Sequence, residues 1–262
     1  MIYIHQNKKN KLPMNKEKMY IVADWDRTLT RGNSMTSWSI LANKNMLPKE
    51  YIAQRQKYYE IYRPIEIDNS IDEKEKQQKM KEWYEKHINL FIKYKLKEEL
   101  IAEASKDINI MQLRQGAKEF LKFLNDANIP LIIISAGIGN FIKCFLENNK
   151  CYYDNIYVSS NMLKFENGLA VGVEENIIHS LNKNEVSLPK KIKEKLKDRN
   201  QILLLGDQIS DIKMIEDKKR ENTIRTLFLN SETEKEFEEY KKYFDIILSD
   251  DESYMELKNV IL

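Results

Sequence analysis

The stretch YIVADWDRTLTRG, residues 20–32, decides how the rest of the chain is read. An apolar run of strand type ends in two carboxylates, Asp24 and Asp26, and hydroxyls follow at once at Thr28 and Thr30. Aspartate is a poor strand residue and costly to bury, so such a run calls for a compensating partner at its end. In extended chain, side chains two apart point to the same side. Two carboxylates that close repel one another unless a cation lies between them or one holds a proton. A D-x-D pair alone does not decide the matter, because a solvated turn carries one equally well.

Working outward, further short apolar runs occur at Leu131–Ile134, Ile156–Val158, Ile202–Leu205, Ile224–Leu229 and Ile246–Leu248, joining Met19–Ala23 at the start. Between most of them lie charged segments of helical period, such as GAKEFLKFLNDAN and LPKKIKEKLKDR. Unbroken apolar strands alternating with amphipathic helices predict an α/β fold, a Rossmann-like parallel sheet with helices on both faces. The Asn167–Gly168 pair between MLKF and LAVGV predicts a β-hairpin. Residues 34 to 108 lack a convincing strand. There Met80, Trp83, Tyr84, His87, Leu90, Phe91 and Tyr94 recur at helical spacing and form an aromatic stripe. The expected organisation is a leader over 1–17, a core from 18–33 and 109–262, and an inserted α-helical cap over 34–108.

Composition narrows the functional classes. Of 262 residues, 42% are hydrophobic and 32% charged, a globular balance with a highly charged surface. With 43 basic against 41 acidic side chains the net charge is +2, which argues against a polymeric nucleic acid as partner. No apolar stretch approaches the roughly 20 residues that a membrane span needs. The lysine-bearing start has no long apolar segment after it, so it reads as a solvated leader and the cytoplasm as the address. Cys144 and Cys151 have no metal-ligand spacing and read as idle thiols.

Three more features follow the first motif, each just beyond an apolar run or a helix. LIIISAG ends in Ser135, with Ala136 and Gly137 allowing close backbone approach. HSLNKN offers Lys183, a compact cation suited to a phosphate oxygen. LLLGDQISD places Asp207 after another strand, with Asp211 four residues on. Singly, these could be a helix cap, a solvated loop lysine, and an N-cap with a first-turn acid. Jointly, polar groups at the ends of several strands of one sheet converge on one edge, where ligands of such sheets bind.

In that order, DWDRT, IIISAG, Lys183 and GDQISD resemble the motifs of the haloacid dehalogenase superfamily of phosphatases. SAGIGNFI, FENG, IHSLNKN, ILLLGDQISD and FDIILSDDES resemble, within it, the pyrimidine 5′-nucleotidase family of cytosolic 5′-nucleotidase III type. The resemblance implies a Mg²⁺-dependent phosphatase that acts on nucleoside 5′-monophosphates, preferentially CMP and UMP. Asp24 would be the nucleophile and Asp26 the general acid/base. Asp24, the backbone carbonyl of Asp26 and Asp207 would hold Mg²⁺. Ser135, Ala136 and Lys183 would cradle the phosphate, and Asp211 would orient Lys183 or metal-bound water. In the cap, Glu66 of PIEID would accept a hydrogen bond from a cytosine amino group or face a cationic base, and Tyr84 of EWYEKH would stack on the base. His87 stands where the family has a serine, narrowing the pocket and adding a group expected to titrate near neutrality. Thr28 is expected to shape its loop and His179 to be a structural hydrogen-bonding group. A phosphatase of another small phosphomonoester, of phosphoserine type, and a non-catalytic nucleotide-binding protein are the alternatives.

Overall fold

The structure, a computed structural model, describes residues 2–5, 11–43, 46–68, 70–107, 109–185, 188–230, 233–249 and 253–262. Residues 6–10 of the expected leader and 250–252 of FDIILSDDES lie outside these.

The apolar runs become strands of one sheet. They are β2 (Met19–Ala23), β3 (Leu131–Ile138), β4 (Ile156–Asn161), β7 (Gln201–Gly206), β8 (Thr223–Leu229) and β9 (Ile246–Ser249). With β1 (Ile2–Ile4), the order across the sheet is β1-β9-β8-β7-β2-β3-β4. Every neighbouring pair is parallel except β1 with β9. The central strands are apolar throughout because both of their faces are covered. Ile21, Ala23, Ile133 and Leu203 face one core; Tyr20, Val22, Ile132 and Leu204 face the other. Helices α5 (Ala117–Asp126) and α6 (Gly139–Asn148) contribute Phe120, Leu121, Leu124, Phe141 and Phe145 to the first of these.

The start of the chain corrects the expectation of a wholly solvated leader. Ile2, Tyr3 and Ile4 pair with Leu248, Ile247 and Ile246 and close that edge of the sheet. Met14 is buried in the main core as well.

The hairpin forms as expected. β5 (Leu163–Glu166) pairs with β6 (Leu169–Val173), and Asn167 and Gly168 take positive φ values of 50° and 75° in the turn. Between β2 and β3 the chain is helical: α1 (Ser37–Asn43), α2 (Lys49–Ile67), α3 (Glu73–Lys93) and α4 (Glu98–Ala104). The α3 helix starts cleanly because the Asp72 carboxylate accepts the amides of Lys74 and Glu75. Its buried stripe, Met80, Trp83, His87 and Phe91, packs on α2 and α1. Tyr62 stacks on Trp83, and Trp38 lies parallel to Phe91. Cys144 and Cys151 are free thiols. Among the described residues no helix is long and apolar enough to cross a membrane.

Candidate active site

Asp24 is the first residue past β2, and its amide donates to the Leu205 carbonyl of β7 at 3.0 Å. The chain then makes a wide turn over Trp25–Leu29, with Arg27 in the left-handed region at φ 63°. That conformation costs energy in a residue with a Cβ, and buried groups hold it in place. The Arg114 guanidinium, 2% exposed, donates to the carbonyls of Arg27 at 2.6 Å and Thr28 at 3.2 Å. The Tyr254 hydroxyl donates to Thr28 O at 3.0 Å, and the Thr30 hydroxyl accepts the Arg27 amide at 2.8 Å. Thr28 lies fully buried in this turn, in keeping with a loop-shaping residue.

Ser135 lies where the pairing of β3 with β4 slips, between Ile134 and Ile138. Its Oγ accepts the Gly137 amide at 3.0 Å. Gly137 is required by space: a Cβ there would lie 2.5 Å from Ser37 Oγ and 3.5 Å from Asp26 Oδ2. The Ala136 carbonyl accepts two donors, Trp38 Nε1 and Asn161 Nδ2, each at 2.9 Å. Gly206, ending β7, likewise has no room for a side chain, since its Cβ would meet the Asp211 carboxylate at 2.6 Å. Asp211 Oδ2 accepts the amides of Asp207 and Gln208, each at 3.1 Å.

These elements converge. Lys183 Nζ lies 2.6 Å from Asp24 Oδ1 and 3.2 Å from Asp211 Oδ1. Asp24, Asp207 and Asp211 each offer an oxygen within 4.8 Å of the others. Burial pushes the Asp24 carboxyl up to about 6, with Lys183 working against the rise. Burial, reinforced by the charge of Asp24, takes Asp26 up to about 7. Asp207 is raised by burial and then by Asp211 and Asp24. For Lys183, burial alone would lower the ammonium, but Asp211 and Asp24 hold it well above its usual range. One lysine does not balance these acids, and a hard divalent cation with oxygen ligands fits such a cluster.

Asp24, Asp26, Ser135, Ala136, Lys183 and Asp207 all line one cavity of about 330 Å³, with Glu66, Tyr84 and His87 on its cap side. A larger, shallower cleft of about 840 Å³ between α4, α6 and the hairpin carries none of the candidate site residues. Tyr84 meets Trp38 edge-on at 5.5 Å, and Glu66 is bridged to Arg63. Asp211 touches Lys183 rather than the open cavity. His179 is 3% exposed and its Nδ1 accepts the Leu181 amide at 3.2 Å, a structural contact.

His87 corrects its expectation. Burial among Trp38, Tyr58 and Trp83 drives its imidazole down to about 3, so it is neutral where it was expected to titrate. Arg114, Asn161, Trp38 and Arg55 also serve the site, and sequence reasoning did not find them. Arg114 and Asn161 act on backbone carbonyls, which leaves no local motif; Trp38 and Arg55 lie outside every motif quoted for the resemblance.

Fold and site together make this a phosphatase of the haloacid dehalogenase type. A phosphoserine phosphatase solved as a phospho-aspartyl intermediate analogue shares the fold, with a TM-score of 0.57 at 21% identity over 93% of this chain and 98% of that one. The model of the family described as Pyrimidine 5′-nucleotidase (UMPH-1) matches residues 24–262, and the chain belongs to that family of phosphoric monoester hydrolases. The human 7-methylguanosine phosphate-specific 5′-nucleotidase is 33% identical over 245 residues, covering 90% of this chain and 81% of that protein. The Drosophila melanogaster enzyme of the same name is 33% identical, over 90% and 77%. The crystal structure of cytosolic 5′-nucleotidase IIIB bound to cytidine matches with a TM-score of 0.87 at 28% identity, covering 99% of this chain and 92% of that one.

Proposed function

We propose that this nucleotidase is a Mg²⁺-dependent cytoplasmic enzyme that hydrolyses pyrimidine nucleoside 5′-monophosphates, CMP and UMP, through an aspartyl-phosphate. The supporting observation is one cavity that joins the Asp24–Lys183–Asp207 cluster to a cap wall of Trp38, Tyr84 and Glu66. Residues 34–108 serve as the cap that carries the base-binding wall.

Asp24 attacks phosphorus, the ester oxygen leaves with the nucleoside, and water then cleaves the acyl phosphate. Asp26, its carboxyl raised to about 7, holds a proton for the leaving oxygen and takes one back from the attacking water. Lys183, the Ser135 hydroxyl and the Ala136 amide stabilise charge on the equatorial oxygens, where losing one donor costs about 10²–10³ in rate. Asp211 positions Lys183. Asp24, the Asp26 carbonyl and Asp207 would hold Mg²⁺, which when bound offsets the repulsion between the phosphate dianion and the carboxylate. Glu66 accepts a hydrogen bond from the base, and Tyr84 with Trp38 supplies aromatic surface.

A second reading, 7-methylguanosine monophosphate as substrate, is supported by the names of the human and fly relatives. Phosphate release measured for CMP, UMP, 7-methyl-GMP and phosphoserine, with and without Mg²⁺, tests both. Release from CMP and UMP only with the metal is the expected result. Release from phosphoserine alone would overturn the nucleotide reading.

A further inference from the structure

The cap side of the cavity carries a positive charge that, among the described residues, forms no ion pair. Two arginines of α2 line it, Arg55 and Arg63. Arg63 is bridged to Glu66. Arg55 Nη2 donates to Ser39 Oγ at 3.0 Å; among the described residues it forms no ion pair, and its buried Nε has no hydrogen-bond partner. A third arginine, Arg27, belongs to the opposite end, where its charge acts on Asp26 and Asp207.

Other groups on the same wall have the same deficit. Trp83 Nε1, which can only donate, is buried without a partner, and so are both ring nitrogens of His87, a side chain 7% exposed. A buried polar atom with no partner is destabilising, and here several cluster around one cavity. The donors left unpaired on this wall are Arg55 Nε, Trp83 Nε1 and one nitrogen of the His87 ring, while the hydroxyls of Thr36, Ser39, Tyr59 and Tyr84 can serve either way.

Stacking on Trp38 and Tyr84 does not distinguish one base from another, because every base presents a π face. Charge and hydrogen-bonding pattern do. Guanidinium N–H donors suit a base edge that offers carbonyl oxygens as acceptors, and cytosine adds its unprotonated N3 beside O2. A base that carries a positive charge meets a like charge there, and the two repel.

We infer that Arg55 is a specificity-determining residue that selects a base rich in carbonyl acceptors and free of positive charge, and rejects a cationic methylated purine. This rests on the nucleoside monophosphate reading above and deepens it. Uracil and the 2-oxo edge of cytosine meet the requirement, and 7-methylguanine does not.

The test is kcat/KM for UMP, CMP and 7-methyl-GMP, each divided by that for 4-nitrophenyl phosphate, which has no base. It is run on the Mg²⁺-loaded full chain, on Arg55→Leu and on Arg55→Lys. The expected wild-type ratio favours UMP and CMP over 7-methyl-GMP by at least about tenfold, the scale of a pocket contact. Arg55→Leu should lower the pyrimidine ratios by about tenfold and raise that of 7-methyl-GMP. Arg55→Lys keeps the charge without the fork, so it should still reject 7-methyl-GMP while losing part of the pyrimidine preference. A wild-type preference for 7-methyl-GMP, or ratios that Arg55→Leu leaves unmoved, would overturn the inference while the nucleotidase reading stands. Turnover of 4-nitrophenyl phosphate with every nucleotide refused would overturn both.

Discussion

Asn161, at the end of β4, donates its side-chain amide to the carbonyl of Ala136 at 2.9 Å. The same Nδ2 reaches Gly137 O at 3.2 Å and Ile178 O at 2.7 Å, and its Oδ1 accepts the Ile178 amide at 2.9 Å. One buried side chain, 2% exposed, therefore ties the loop of Ser135 to the segment that leads into Lys183. Both halves of the proposed phosphate cradle are thus held by a residue that does not itself line the cavity.

Asn161→Ala is expected to leave the Ile178 carbonyl and amide without their partner and to strip one of two donors from each of the Ala136 and Gly137 carbonyls, lowering stability by about 2–3 kcal/mol. kcat should fall by roughly tenfold or more as Lys183 loses its placement. Asn161→Asp should do worse, because a carboxylate would face three carbonyl oxygens. Chemical denaturation and steady-state kinetics on the two variants check this; wild-type kcat in Asn161→Ala would show that the tie is structural only.

Asp24→Asn keeps the shape of the side chain and removes the proposed nucleophile. Turnover of every phosphomonoester should drop by at least about 10³. The circular dichroism spectrum should not change, because the substitution removes a charge from a cluster already crowded by Asp207 and Asp211. Acid quenching of wild-type enzyme during turnover should trap an acid-labile phosphoprotein that is absent from the variant.

Divalent metal should stabilise the folded chain by relieving that crowding. At a Mg²⁺ concentration about 100 times its dissociation constant, the gain is about 2.7 kcal/mol. Differential scanning calorimetry with Mg²⁺ and with EDTA measures it. Asp207→Asn should lose most of the response, and an unchanged response would remove Asp207 from the metal site.

The depressed His87 carries a consequence for stability. Its pKa falls from an ordinary 6.5 to about 3 on folding, so the unfolded chain takes up a proton that the folded chain refuses. The stabilising contribution is complete above about pH 6.5 and is lost as pH falls toward 3. The raised carboxyls of Asp24, Asp26 and Asp207 act in the opposite sense. The informative quantity is therefore the difference from His87→Phe. Between pH 7 and pH 5 wild type should lose about 2 kcal/mol more than this variant. An identical pH dependence would mean that the imidazole protonates in place.

The central strands were legible because strands buried on both faces read as unbroken apolar runs, and Met19–Ala23 keeps the bounds its sequence suggests. The hairpin was legible from Asn167–Gly168, a pair that tolerates positive φ. The short β1 was not, since three residues carry no periodicity and gain their strand only by pairing with Ile246–Leu248. At the site, the side chains that would meet phosphate announced themselves by standing at strand ends. Arg114 and Asn161 did not, because their targets lie 86 and 25 residues away in sequence and are main-chain oxygens. The protonation of His87 was misjudged for a related reason: the rings that desolvate it come from α1, α2 and α3 together, and only the fold assembles them.

The β1 strand also bears on how the protein must be handled. Ile2–Ile4 hydrogen-bond along β9, whose outer edge would otherwise offer bare amides and carbonyls to any extended peptide. A version trimmed of its opening residues, or fused there to a bulky partner, would expose a sticky seam and self-associate through it while its distant catalytic pocket stayed intact.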